Sequence, residues 1–124
     1  MLGNQSIMAF VPTVDAGRAR PFYEQMLGLK VVGEDPYGVM FDANGVLLRM
    51  SVVGAEFKPA PFTIFGWAVK DVRAMADALV ERGVSFERYG FIEQDKWGVW
   101  TSPDGAQIAW FKDVDGNTLS LAQL

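Results

Sequence analysis

A chain of 124 residues has room for one domain of ordinary size and not for two. Half of it is apolar, 21% is charged and 13% is aromatic, a composition that builds a core and excludes general disorder. Fifteen acidic residues stand against eleven basic ones for a net charge of −4, which argues against nucleic acid and suits a neutral or cationic small molecule better.

Cysteine and histidine are both absent. Disulfides, thiolate catalysis, iron–sulfur ligation and zinc ribbons go with the first, and the usual nucleophile–base pairs with the second. Any metal would have to be held by carboxylates and carbonyls. Residues 1–15 carry no basic leader, and no 18-residue apolar run exists, so the expected address is the cytoplasm with no membrane partner.

Ser6 to Val14 reads as a strand ending where Asp15 can cap a helix. Ala19, Phe22, Tyr23, Met26 and Leu27 then recur at helical spacing, and Gly28 stands at the left-handed stop; Pro21 predicts a bend or a loosened turn. Leu29 to Gly33, Gly38 to Asp42 and Val46 to Val53 read as strands joined by turns at Asp35-Pro36-Tyr37-Gly38 and Asn44-Gly45. Residues 54–61, with a glycine and two prolines, form the expected linker.

The order then repeats. Phe62 to Val69 is a strand and Asp71 a cap; Val72, Met75, Ala76, Leu79 and Val80 form a helical stripe closed by Gly83. Val84 to Tyr89, Trp97 to Thr101, Gln107 to Lys112 and Thr118 to Ala122 follow as strands, one more than the first half holds, with turns at Pro103-Asp104-Gly105 and Asp113-Val114-Asp115-Gly116. Residues 14–19 echo 69–74, and Asn44-Gly45-Val46-Leu47-Leu48-Arg49 echoes Asp115-Gly116-Asn117-Thr118-Leu119-Ser120. The shared order of elements predicts an α+β fold of two βαβββ-type modules, about 1–53 and 62–124. Together they are expected to form a single domain with a curved, open mixed sheet and helices on its outer face.

Val14-Asp15, Phe22-Tyr23-Glu24, Leu27-Gly28-Leu29 and the run Trp110-Phe111-Lys112-Asp113-Val114-Asp115-Gly116-Asn117 with Leu119 and Leu121 carry a resemblance to the vicinal oxygen chelate superfamily. It includes glyoxalase I, extradiol dioxygenases and fosfomycin and bleomycin resistance proteins. The resemblance covers nearly the whole chain and implies the glyoxalase/bleomycin resistance fold. Metal-dependent relatives place four ligands, usually two His and two Glu, at positions that fall here on Ala9, Arg49, Ile64 and Ser120, or on Met8 and Thr63 with a one-residue slip. Alanine and isoleucine have no donor, arginine repels a cation and one serine is a weak ligand, so no metal and no cofactor is expected.

Because alternate strand residues share a face, those positions predict a cleft face of Ala9, Val11 and Thr13; Leu47, Arg49 and Ser51; Ile64, Gly66 and Ala68; and Thr118, Ser120 and Ala122. Phe10, Leu48, Phe65, Trp67, Leu119 and Leu121 are left for the core. Arg49 either holds an anionic ligand group or pairs with a nearby acid. A three-residue loop at Pro103-Asp104-Gly105 would put Trp97, Val99, Gln107, Ala109 and Phe111 on the cleft face, and a one-residue shift would put Trp100 there. The expected ligand contacts are thus Arg49, Trp97, Trp100, Phe111, Ser120, Val11 and Ile64.

Tyr37, Tyr89, Glu93 and Asp95 lie on connections that could overhang the cleft; Arg49, Tyr37 and Glu93 are the candidates for catalysis, although a solvated loop is the better account of the last two. Three functions compete. One is a metal-free module that binds a small planar or amphipathic ligand, such as an antibiotic or toxin, and the second is a metal-independent lyase or isomerase using Arg49 to hold an anion. The third is a subunit whose cleft has become an interaction surface. The resemblance implies a homodimer, and exposed sheet edges favour pairing.

Overall fold

The computed structural model describes Met1–Leu124 and divides into two compact units, Met1–Lys58 and Pro59–Leu124, with the boundary inside residues 54–61. After one 3-10 turn at Leu2–Asn4, the first unit runs β1 (Met8–Thr13), α1 (Ala16–Pro21), β2 (Lys30–Asp35), β3 (Gly38–Ala43) and β4 (Val46–Val52). Its four strands lie in the order β1-β4-β3-β2, with β1 parallel to β4 and the other pairs antiparallel. The second unit runs β5 (Thr63–Ala68), α2 (Val72–Glu81), β6 (Trp100–Thr101), β7 (Gln107–Lys112) and β8 (Thr118–Gln123), in the matching order β5-β8-β7-β6. Each unit is therefore one βαβββ module built on a mixed sheet.

Both helices start on an aspartate. The Arg18 N–H donates to Asp15 at 3.2 Å and the Ala74 N–H to Asp71 at 3.0 Å, each satisfying a donor that the first turn leaves without a partner. Past Pro21 the chain widens into a π-helical turn, Phe22–Met26, in which the Leu27 N–H reaches the Phe22 carbonyl at 2.9 Å. Proline removes one donor from the α-helical ladder, and the wider turn directs both Phe22 and Tyr23 inward, where Tyr23 meets Phe41 with ring centroids 5.8 Å apart. The buried stripe of α2 is narrower than its apolar spacing suggests: Val72, Ala76 and Leu79 face the sheet, while Met75 and Val80 are exposed.

Register fixes the two faces of each sheet. In the first, Val11 pairs with Met50, Ala9 with Leu48 and Phe41 with Leu48, and this is the helix-covered core face. The open face carries Phe10, Pro12, Leu47, Arg49, Ser51 and Met40. The expected parity of β1 is thus inverted: Val11 and Thr13 are each 1% exposed, and Phe10 is 62% exposed. In the second sheet Phe111 pairs with Leu119 and Ala109 with Leu121, all buried, while Trp110 pairs with Ser120 and Trp100 with Ile108 on the open face.

The strand expected at Val84 to Tyr89 does not form. Only Phe86 bridges to Phe111, and the Glu87 N–H donates to the Trp110 carbonyl at 2.8 Å. Likewise only Trp100–Thr101 of residues 97–101 is strand, paired to Ile108 and Gln107. Both short pieces therefore lie on the same outer edge of β7, the place that β2 fills alone beside β3. The second module has no additional strand; it has one edge strand broken in two, with residues 88–99 looping between the halves.

Candidate functional site

The interrupted edge creates a cavity of about 350 Å³ on the open face of the second sheet. Its floor is the sheet itself: Trp100 and Trp110 from β6 and β7, with Thr63 and Thr118 from β5 and β8. The looping segment supplies Tyr89, Phe91 and Ile92, and Pro61 and Phe62 close the remaining side. None of the nine lining residues is charged.

The rings stand against one another. Tyr89 meets Trp110 edge-on at 5.7 Å and 74°, Trp100 leans on Trp110 at 6.1 Å, and Tyr89 meets Phe91 at 5.6 Å. Such offset and edge-to-face pairs are the favourable arrangements for aromatic quadrupoles and leave ring faces available to a planar guest. The Trp110 indole N–H donates to the Thr63 hydroxyl at 3.0 Å, which fixes the ring on the floor. Burial, reinforced by the Glu87 carboxylate, raises the Tyr89 hydroxyl above its ordinary value, so at neutral pH it stays protonated.

The loop is held by side chains where a strand would use a ladder. The Gln94 amide accepts from the Tyr89 N–H at 2.7 Å and donates to the carbonyls of Glu87 at 3.0 Å and Gly98 at 2.8 Å. Asp95 accepts from the N–H groups of Trp97 at 2.9 Å and Val99 at 3.0 Å and from Arg73 of α2 at 2.9 Å. Burial works against the Asp95 carboxylate, but those donors outweigh it and hold the group below its ordinary value. Arg88 donates to the carbonyls of Asp95 and Lys96.

The residues singled out by sequence are dispersed. Trp100 lines the cavity, and Ser120 lies on the same open face, over Gly66, where a Cβ would collide with it. Trp97 sits against α2, donating its indole N–H to Asp77 at 2.9 Å beneath the Lys96 ammonium. The expected placement of Val11 and Phe111 on the cleft face is corrected: both are buried on the helix-covered face, because their register partners Met50 and Leu119 are core residues. A bulge between Thr63 and Phe65 takes Ile64 out of the regular alternation. Glu93 is exposed on the loop, beside a second, more polar cavity that shares Phe91, Ile92 and Trp100 with the first.

In the first unit Tyr37 is exposed on the β2–β3 turn, and Arg49 donates to Asp35 at 2.9 Å on the open face. That hydrogen bond, with the Tyr37 N–H, lowers the Asp35 carboxyl below its ordinary range. Sequence reasoning did not assemble Trp110, Thr63, Thr118, Phe62, Phe91 and Ile92 into one site. The available signal was the pairing of β7 with β8, since Leu119 and Leu121 assign Ala109 and Phe111 to the core and leave Trp110 outward.

The four positions that hold metal in the resembling family do not fit a divalent cation here. Ala9 and Ile64 have no donor, Arg49 is a cation and Ser120 offers one hydroxyl; Thr63, the slipped alternative, already accepts from Trp110. No three acidic side chains converge in a group that could hold a metal ion.

No curated protein matches the chain. Its fold is similar to that of a glyoxalase family protein from Enterococcus faecalis, with a TM-score of 0.77 at 16% identity over 99% of this chain and 100% of that one. It is also similar to a member of the glyoxalase/bleomycin resistance protein/dioxygenase superfamily from Sphaerobacter thermophilus DSM 20745, at 0.73 and 23% over 97% and 98%. A lactoylglutathione lyase from Agrobacterium tumefaciens gives 0.68 and 19% over 96% and 93%. At these identities the likeness is one of fold. The family model described as Glyoxalase/Bleomycin resistance protein/Dioxygenase superfamily matches residues 6–121, in keeping with the paired βαβββ modules, and the chain belongs to that superfamily.

Proposed function

We propose that this protein binds a small planar or amphipathic molecule in the cavity floored by Trp100 and Trp110, without a metal, and acts by sequestering it, as protection against a toxic or antibiotic compound requires. The observation that carries the reading is the set of aromatic rings around an uncharged cavity of about 350 Å³, a volume at the lower end of the range for small-molecule sites. Apolar walls with few polar groups supply affinity by desolvation and orientation by ring contact. The donor chemistry at the family's ligand positions supports the metal-free part. The Arg49 guanidinium is engaged by Asp35, so the lyase or isomerase alternative built on Arg49 as an anion holder is not the reading adopted.

The proposal includes a cytoplasmic homodimer. Met8, Phe10 and Leu47 are exposed together on the open face of the first sheet, an apolar surface of the kind that subunit pairing covers. No helix is long and apolar enough to cross a membrane.

Titration of the protein with a panel of planar one- and two-ring compounds, followed by tryptophan fluorescence and melting temperature, tests the binding. A guest at a hundredfold excess over its Kd raises stability by about 2.7 kcal/mol. Binding should be lost in Trp110→Ala and retained in Trp97→Ala. A panel that produces no shift, or equal loss in both variants, overturns the reading.

A further inference from the structure

Thr118 is 6% exposed, and its side chain lines the cavity. A hydroxyl on a cavity wall can both donate and accept, and a guest that expels water from the cavity must supply its partner. Directly beside it on the same face is Thr63, its register partner across the parallel β5–β8 pair. The Thr63 oxygen accepts the Trp110 indole N–H at 3.0 Å, and its own O–H remains to be donated. An aromatic cavity thus contains one hydroxyl able to donate or accept and a second whose proton is unspent. No carboxylate or basic side chain lines it to compensate a charged guest.

We infer that the ligand is an uncharged aromatic of one or two rings carrying a phenolic hydroxyl, with that oxygen seated between Thr118 and Thr63. A phenol matches both groups at once, because its O–H donates to the Thr118 oxygen while its lone pair accepts from Thr63. The rings of Trp100, Trp110 and Tyr89 cover its faces. The same walls offer a cation only ring faces, with no counter-charge in the lining, and an anion is left with two hydroxyls. The inference rests on the binding role proposed above and specifies its ligand.

Isothermal titration with 2-naphthol, naphthalene, 2-naphthoate and a 2-naphthylmethyl ammonium salt at neutral pH tests it. The expected order is 2-naphthol tightest, naphthalene weaker by about thirtyfold, the increment of two net hydrogen bonds, and the two ions weaker still. Thr118→Val, nearly isosteric, should cut the preference for 2-naphthol to about fivefold, the share of the Thr63 bond, while leaving naphthalene binding unchanged, and Thr118→Ser should keep it in full. Equal affinities for 2-naphthol and naphthalene in the wild type, tighter binding of either ion, or a preference undiminished in Thr118→Val overturns the assignment while the cavity remains a binding site. If none of the four binds, the proposed binding role falls with it.

Discussion

Replacing Gln94 with alanine removes the side chain that templates the loop over the cavity. Three hydrogen bonds disappear, those with the Tyr89 N–H and the carbonyls of Glu87 and Gly98. A neutral hydrogen bond contributes about 1 kcal/mol net, so the loss approaches 3 kcal/mol. Gln94 is only partly buried, and water can reach part of what it leaves behind. The expected destabilisation is therefore about 2 kcal/mol, a fall of roughly 1–2 M in the urea midpoint at unchanged slope for a chain of this size.

Hydrogen exchange separates local from global effects: the Tyr89 amide should lose at least about tenfold of its protection beyond what the lower global stability explains. Gln94→Glu serves as a control, because it keeps an acceptor for Tyr89 but sets a carboxylate against two carbonyl oxygens, and it should be no better than alanine. If Gln94→Ala stays within about 0.5 kcal/mol of wild type with the Tyr89 amide still protected, then Arg88 and the ring contacts hold the loop, and the templating argument is wrong.

Gly38→Ala should lower stability by about 3 kcal/mol or more in thermal or chemical melts, since a Cβ there would overlap the Met50 carbonyl oxygen on the central strand β4, a backbone atom that cannot swing aside; Gly33→Ala, whose Cβ would meet only the Met40 Cβ at 4.0 Å, should be nearly neutral. Asp113→Ala removes a buried carboxylate that accepts from the Asp115 and Asn117 N–H groups and the Asn117 amide, each at 2.9 Å, and should cost about 3 kcal/mol or more. Acid should act through Asp95 and Asp35: folded values lying below the ordinary 3.8 mean that their stabilisation is complete above that pH and is lost as pH falls through the folded values. Melting temperatures measured from neutral pH downward should stay level until near 3.8 and then decline, with Asp95→Asn showing a shallower decline than wild type.

Much of the fold is legible because local signals agree with one another. Asp15 and Asp71 cap, Gly28 and Gly83 stop, Asn44-Gly45 turns, and the two halves repeat the same order. Face assignment is harder. Residues 8–13 are apolar or nearly so at every position, so alternation carries no information, and parity taken from the family's ligand positions inverts β1: Phe10 faces out, and Val11 faces α1's side. In β7 the three-residue turn at Pro103-Asp104-Gly105 is present, with the Ser102 N–H donating to the Ala106 carbonyl at 2.8 Å, yet the faces follow from pairing with β8 and not from the turn.

The segment 84–89 has strand-like composition, but β7's outer edge is divided between it and β6, so only Phe86 and Glu87 pair there. The cavity was illegible for the same reason. It depends on where a loop without regular structure comes to rest, and that is decided by single side chains such as Gln94 and Arg88 rather than by periodicity.

The break in that edge strand separates what keeps the module folded from what selects a guest. Residues 88–99 leave β7's margin after one short pairing and return to it with another, so insertions or replacements between them leave every register in the sheet untouched. Relatives could exchange this stretch wholesale and acquire new preferences at little risk to the scaffold. Transplanting it between homologues with Glu87 included should carry selectivity along with it, because Gln94 and its three partners then travel together.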